Sequence, residues 1–402
     1  MIYDMTNYIH MKAHNGSNGT ISRLPQRKER HRIQHQIRRN TDGRADLIMQ
    51  NSIKLYEACR DNDTYTAMKI LANGFIPREY INKGDNNTAL LWACSNHMYD
   101  VALKLIQTNS MNIKRINVHG LTIFDYIMEH TRMAKLLPYI LESNTDAIKY
   151  IEPERLYGIF WYALEFKLIN AAICIIKHAT DNIIEQYNAE TTSGVSLLLT
   201  MISNDLPDVA IAFIETGKSE PSYTNPDNVT ALLAACRNNM PDVAMALIAT
   251  GESRPDINNN VNDTALIWAC RNNMPDVTMA LITTDESRPD INNYGNDTAL
   301  IFACHNNMPD VAMALIATGE SRPEMININD LTALYMACYY AMYDVAMALL
   351  DTGRANIGIV SHTGLTATEL IKDVPEMKPV YDRMNAYSKT DIENMTIYSI
   401  II

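Results

Sequence analysis

The sequence contains no run of about 18 or more consecutive apolar residues, which is the length that a membrane-spanning helix requires. Residues 1–17 also lack an apolar core of the size that a secretory signal needs. These two absences predict an intracellular, cytoplasmic protein, held in a reducing compartment and making no contact with a membrane.

Sequence motifs of catalysis are missing as well. The chain has no Gly-x-Gly-x-x-Gly, no phosphate-binding Walker loop, no His-Glu-x-x-His and no nucleophile elbow. It has seven cysteines, but no two of them form the Cys-x-x-Cys pair typical of zinc sites. We therefore predict a protein that is not an enzyme and that binds neither a cofactor nor a metal ion.

Positive charge is scarce outside the N-terminal region. The net charge is −12, of which residues 1–45 contribute +6 and the remainder −18. An acidic body repels phosphates, so nucleic-acid contact is expected only through residues 1–45. These residues are too polar to bury a core, and we interpret them as a disordered tail. Residues 386–402 form a second short tail, whose strand-like apolar end has no assigned role.

What the chain does contain is a motif that recurs every 34 residues. Thr230-Ala-Leu-Leu-Ala-Ala-Cys236 returns with small changes at Thr264, Thr298 and Thr332. The first two complete copies agree at 27 of 34 positions, which chance does not produce. About ten such units fill residues 46–385. The remaining units start at Ser196, at Thr366, at Thr88, at Thr122, near Ile53 and near Gly158.

Each unit has the pattern of a helix, a turn, a second helix and a long loop. Thr230 is a suitable N-cap for the first helix, and Pro241 suits the first turn of the second. Gly251 then stops the second helix. One such pair cannot bury its own apolar face, so the units must stack. The predicted apolar faces consist of Leu232, Leu233, Ala235 and Cys236 in the first helix, and Val243, Ala246, Leu247 and Ile248 in the second.

The repeated motif resembles that of the ankyrin-repeat family. The run Thr-Ala-Leu-x-x-Ala-Cys is similar to the family's Thr-Pro-Leu-His-x-Ala-Ala, with Ala in place of Pro and Leu, Ile or Tyr in place of His. The resemblance implies an all-α ankyrin-repeat solenoid with loop or β-turn fingers between its helix pairs. The Asn- and Ile-rich arrays are also similar to ankyrin-repeat proteins of large DNA viruses that infect amoebae, which implies a viral protein with a host protein as partner.

Two repeated positions allow more than one interpretation. A cysteine recurs at one small, buried position, and we interpret it as core rather than as a disulfide or metal ligand. Trp92, Trp268, Phe302 and Met336 share another position, either as core packing or as an aromatic stripe on a binding face.

The loop charges Glu252, Arg254 and their repeats predict a solvated edge with weak ion pairs between units.

The resemblance also implies where a partner binds, namely at the loop tips before each Thr and at the ends of the first helices. Residues at these places vary while the framework stays constant, as expected for one scaffold with many side chains. The predicted tip residues are Asn260, Val261, Asn262, Tyr294, Asn296 and Ile328. The predicted helix-end residues are Arg271, Asn272, His305, Asn306, Tyr339 and Tyr340.

The predicted function is a protein–protein interaction scaffold that binds another protein as a monomer. Two alternatives stay open at this stage. One is a substrate adaptor for a ubiquitin ligase, although residues 386–402 show no F-box-like helical module. The other is nucleic-acid contact through the basic residues 1–45.

Overall fold

The computed structural model divides the chain into two compact units, Met1–Tyr126 and Ile127–Ile402. The structure describes residues 45–72, 77, 79–108, 112–143, 148, 151–190, 195–284 and 286–387. The predicted tails therefore lie almost entirely outside the described residues. Within the described ranges, no helix is long and apolar enough to cross a membrane.

The described part of the first compact unit consists mainly of helices. They are α1 (residues 45–60), α2 (Thr64–Ala72), α3 (Ala89–Ser95) and α4 (Tyr99–Gln107), followed by α5 (Ile123–Met128), which extends past the boundary.

The second compact unit continues the same alternation of helices. Three helices of unequal length come first: α6 (Thr131–Ala134), α7 (Leu137–Ser143) and α8 (Pro153–Glu165). The long helix α9 (Ile169–Glu190) is kinked at Ala179. Regular pairs follow: α10 (Leu197–Ser203) and α11 (Pro207–Glu215), α12 (Ala231–Arg237) and α13 (Pro241–Ala249), α14 (Ala265–Arg271) and α15 (Pro275–Ile282), α16 (Ala299–His305) and α17 (Pro309–Ala317), α18 (Ala333–Tyr339) and α19 (Tyr343–Asp351), and finally α20 (Ala367–Leu370) with a helix at 378–387.

The helix boundaries follow from the residues predicted to set them. Thr230 caps α12, because its side chain accepts a hydrogen bond from the backbone N–H of Leu233 at 3.1 Å. Thr264 and Thr298 cap α14 and α16 in the same way. At the other end of the pair, Gly251 has a φ of 70°, the left-handed conformation that ends a helix and that glycine adopts without strain.

Burial of the paired helices agrees with the predicted faces except at two positions of α13. All four predicted core residues of α12 are buried, and so are Val243 and Leu247 of α13. The third buried position of α13 is Ala244, whereas Ala246 and Ile248 are only half-buried. The second helix buries one narrow stripe formed by Val243, Ala244 and Leu247. Ala246 and Ile248, the sequence neighbours of Leu247, lie at the margin of this stripe.

Consecutive units are joined by asparagine side chains at the ends of the first helices. The Asn272 amide donates to the Cys236 carbonyl at 2.8 Å, and the Asn306 amide to the Cys270 carbonyl at 2.7 Å. Within the first compact unit, Asn96 donates to the Cys59 carbonyl at 2.7 Å. These bonds satisfy helix-end carbonyls that would otherwise have no partner.

The loops between units are fingers whose ends meet in single antiparallel bridges, such as Asn258 with Thr264 and Asn292 with Thr298. An asparagine organises the tips that precede Thr230, Thr264, Thr298 and Thr332. The Asn293 side-chain oxygen accepts from the backbone N–H groups of Gly295 and Asp297, at 2.9 and 3.0 Å. The described residues form no β-strand, and about ten helix pairs recur, so the fold is the predicted all-α ankyrin-repeat solenoid.

Candidate functional site

The finger tips of neighbouring units contact one another. The Tyr294 hydroxyl donates to the Asn260 carbonyl at 2.9 Å, and the Ile328 backbone N–H donates to the Gly295 carbonyl at 3.0 Å. Tyr294 and Ile328 are nevertheless 75% and 71% exposed, because the first bond uses only the hydroxyl of the ring and the second uses only the backbone. The tips are therefore fixed in position and open to solvent.

The ends of the first helices form a second row beside the fingers. Arg237, Arg271, His305 and Tyr339 occupy equivalent positions in consecutive units, and all are exposed. Tyr339 is 61% exposed and packs edge-on against Tyr340, with their ring centroids 5.0 Å apart. This row thus presents two arginines, a histidine and an aromatic pair.

One pocket shows that tips and helix ends share a surface. Arg271 and His305 line a pocket of about 260 Å³ together with residues of two fingers. The other lining residues are Asp297, Ile301, Phe302, Asn327, Asn329 and Leu331. We call the tips at 260–263, 294–297 and 328–331, together with the helix ends at 271–272, 305–306 and 339–340, the finger face.

The shared position of Trp92, Trp268 and Phe302 is neither core nor fully exposed. All three side chains are half-buried, whereas Met336 at the same position is 5% exposed. The Arg271 guanidinium carbon lies 4.7 Å from the centre of the Trp268 ring and 5.7 Å from that of Phe302. The rings therefore form a partly buried support for a cation at the edge of the pocket.

Four of the predicted binding residues have a structural role that accounts for their identity. The amides of Asn272 and Asn306 are bonded to the carbonyls described above. Asn262 and Asn296 have φ values of 63° and 56°, a conformation in which asparagine is favoured over most residues. The side chain of Asn262 also donates to the Asn292 carbonyl of the next finger. Their recurrence in successive units is the sequence signal that marks them as framework.

The loop charges form ion pairs mainly within one loop. Arg254 pairs with Asp256 at 2.9 Å and Arg288 with Asp290 at 3.0 Å, whereas Arg354 reaches Glu324 of the preceding loop at 3.0 Å. The predicted pairing between units is therefore wrong for the first two loops, because Asp two residues after Arg is the nearer acceptor. The hydrogen bond from Arg254 holds the pKa of Asp256 below its usual value.

The repeated cysteines are core residues, as predicted. Cys94, Cys236, Cys270 and Cys304 are each 0% exposed. Burial raises the pKa of the Cys94 and Cys270 thiols to about 12, so these groups stay protonated at neutral pH. Among the described residues, no group of three or more His, Cys, Asp or Glu side chains could hold a metal ion.

These features define a repeat array of helix pairs with one surface of variable side chains. Residues 197–293 and 281–360 match a family model described as ankyrin repeats in three copies. The match shows that residues 197–360 are similar to ankyrin repeats, in agreement with the resemblance in this part of the chain. No curated protein matches the chain in sequence.

Three solved structures resemble the chain at low identity. The ankyrin repeat protein EF0377 is 20% identical with a TM-score of 0.36, covering 47% of this chain and 96% of its own. A chain from the complex of the Bdellovibrio bacteriovorus predatory endopeptidase Bd0816 with immunity protein Bd3460 is 21% identical with a TM-score of 0.36, covering 49% and 98%. The ankyrin repeat domain of Bcl-3, a member of the IkappaB family, is 17% identical with a TM-score of 0.38, covering 58% and 98%.

Proposed function

We propose that this protein is a binding scaffold that holds a partner protein on its finger face and performs no catalysis. Ankyrin repeats in general mediate protein–protein interaction, and the regular units from Thr230 onward carry the variable side chains. A rigid array that repeats its framework while changing its surface residues is suited to recognising one large partner.

The observation that carries this proposal is the exposure of large apolar side chains on a fixed surface. Tyr294, Ile328 and Tyr339 are 75%, 71% and 61% exposed, and they come from consecutive units. Tyrosine is enriched among residues that dominate binding energy, because it offers a large contact area with few rotatable bonds. Hydrogen bonds between the tips restrain the Tyr294 side chain and the Ile328 backbone, so little order has to be created on binding.

A second row of exposed apolar residues lies on the second helices and supplies the alternative surface. Met245, Met279 and Met313 are equivalent residues with exposures of 41%, 39% and 39%. They are identical in successive units and less exposed than Tyr294, Ile328 and Tyr339. A row of identical methionines offers no distinction between one unit and the next, so we place recognition on the finger face.

Removing the tyrosines of the finger face should abolish capture of the partner. The variant Tyr294→Ala, Tyr339→Ala, Tyr340→Ala loses three side chains that, as hot spots, contribute about 2 kcal/mol or more each. Affinity capture from a cell lysate, followed by quantitative mass spectrometry, should show every specific protein of the wild type depleted at least about tenfold. Circular dichroism should show the same helical signal in both proteins.

The matched control is Met245→Ala, Met279→Ala, Met313→Ala, which removes three exposed apolar side chains from the second helices. This variant should capture the wild-type partners at wild-type levels. The proposal is wrong if the methionine variant loses the partners and the tyrosine variant keeps them. Loss of helical signal in the tyrosine variant would instead place these residues in the core.

Several finer predictions extend beyond this proposal. A viral origin with a host partner, a role as ubiquitin-ligase adaptor and a cytoplasmic location stay predictions. Nucleic-acid contact through residues 1–45 also stays a prediction, because residues 1–44 lie outside the described part of the chain.

A further inference from the structure

We infer that Arg237 and Arg271 receive the carboxylates of an acidic segment of the partner protein. This inference rests on the proposed function, since it names the chemistry of the partner that the finger face, extended by the exposed helix end at Arg237, would hold. It is carried by the absence of an ion pair at either arginine among the described residues, by the stacking of Arg271 on two rings, and by the spacing of the two arginines.

Arg237 and Arg271 differ from the other arginines around them in having no carboxylate partner. Within the described residues 195–284 and 286–387, the remaining arginines all lie within 4.0 Å of a carboxylate, from Arg254 to Arg383. No Asp or Glu of the described residues pairs with Arg237 or Arg271, although both are exposed. Two unpaired cations in equivalent positions, in an otherwise acidic array, indicate a surface that complements negative charge.

The support beneath Arg271 orients its hydrogen-bond donors. Its guanidinium lies over the rings of both Trp268 and Phe302, at 4.7 and 5.7 Å from their centres. Contact with the ring faces restrains the plane of the group and leaves its N–H edge available. Such a planar group donates two parallel hydrogen bonds to one carboxylate, and a restrained group loses less entropy when it does so.

A peptide carboxylate fits this surface better than a nucleic acid does. The chain beyond residue 45 carries a charge of −18, and Asp297 lies in the same pocket as Arg271. The Asp297 carboxylate accepts a hydrogen bond from the Asn327 amide at 2.7 Å, but it still contributes negative charge. A nucleic-acid strand carries a negative charge at every nucleotide and is repelled by these groups along its whole length. A peptide can place only two carboxylates opposite the arginines and apolar residues elsewhere, so it is repelled less.

The repeat spacing gives the expected pattern of the acidic segment. Packed helices of neighbouring units lie about 10 Å apart, and an extended chain advances about 3.3 Å per residue. Carboxylates that contact Arg237 and Arg271 should therefore be about three residues apart in an extended segment. His305 occupies the next equivalent position, and Tyr294, Ile328 and Tyr339 supply apolar contacts beside the row.

Selection of random 12-residue peptides displayed on phage, with the full-length protein as target, tests this inference. Enriched peptides should carry two Asp or Glu residues about three positions apart. Fluorescence anisotropy with the corresponding synthetic peptides should show at least about a tenfold weaker Kd for Arg237→Gln, Arg271→Gln, since hydrogen bonds between charged groups are worth that much. Arg271→Lys should give a smaller loss, because it keeps the charge without the planar group.

The matched control is Arg254→Gln, Arg288→Gln, which changes the net charge equally but removes arginines already paired with Asp256 and Asp290. Its Kd should stay within about twofold of the wild-type value. Peptides without acidic pairs, equal losses in the two double variants, or a 20-nucleotide RNA that binds as tightly as the peptides would each overturn the inference. The variant Tyr294→Ala, Tyr339→Ala, Tyr340→Ala separates the two proposals. If the selected peptides lack acidic residues and this variant no longer binds them, the finger face is supported and the acidic segment is not.

Discussion

Replacing Asn272 and Asn306 together by alanine should lower the free energy of unfolding by about 2–4 kcal/mol, or about 1–2 kcal/mol for each site. Each amide donates to two carbonyls at the end of the preceding first helix. For Asn272 these belong to Cys236 and Arg237, at 2.8 and 3.1 Å. Alanine leaves a partly buried carbonyl without its donor, so the contact between neighbouring units is weakened. Urea denaturation followed by circular dichroism gives the free energy.

The control for this variant is Asn260→Ala, Asn329→Ala, which removes two amides from exposed finger tips. The Asn260 amide has only a long contact of 3.4 Å with Asp227. We expect each tip replacement to change stability by less than about 0.5 kcal/mol. Equal losses in the two double variants would show that the asparagines at the helix ends are ordinary surface residues and not links between units.

Amide hydrogens in α6 and α7 should exchange about a hundredfold faster than those in α15 and α17. The second helix of a regular unit has eight or nine residues. In the unit that begins at Thr122, two short helices take its place, α6 with four residues and α7 with seven. His130 stands where the asparagines Asn272 and Asn306 stand in their units. Helices this short should open locally without unfolding the array.

Hydrogen exchange read by mass spectrometry at peptide resolution measures this difference. Helices α12 and α13 serve as an internal reference, because their unit resembles the next one at 27 of 34 positions. They should exchange as slowly as α15 and α17. Equal protection of α6, α7 and the regular helices would mean that opening is global and that the array unfolds as one cooperative unit.

The framework of the repeats could be predicted from local chemistry. Thr230, Pro241 and Gly251 each satisfy a backbone requirement that depends only on near neighbours: a cap, a helix start and a left-handed stop. Because the same three residue types recur with the period, the helix boundaries recur too. The core was predicted nearly as well, except that Ala244 is buried in α13 while Ala246 and Ile248 are only half-buried.

The finger face was harder to predict, because its residues differ in contacts between units. Asn306 and Tyr339 both stood at variable ends of first helices, yet one amide joins two units and the other side chain is 61% exposed. The sequence also did not reveal which positions have a left-handed backbone. The asparagine at position 296 is explained by its φ of 56°, without any contact to a partner protein. Recurrence of the same asparagine in successive units was the available signal.

The cation support at Arg271 could not be predicted from the motif at all. The sequence offered core packing or a binding stripe for Trp268 and Phe302, and the half-buried rings combine the two. The faces of these two rings contact the guanidinium of Arg271, at distances that depend on how consecutive units stack. Stacking geometry is a property of the assembled array and not of any single repeat.

Site-specific photo-cross-linking tests most directly whether the finger face contacts the partner. Benzoylphenylalanine placed at Tyr294 should form a covalent product with the partner under ultraviolet light, because this position is 75% exposed at the centre of the face. The same probe at Met279, 39% exposed on a second helix, should form none. A product at Met279 with none at Tyr294 would contradict the account and place the partner on the second helices.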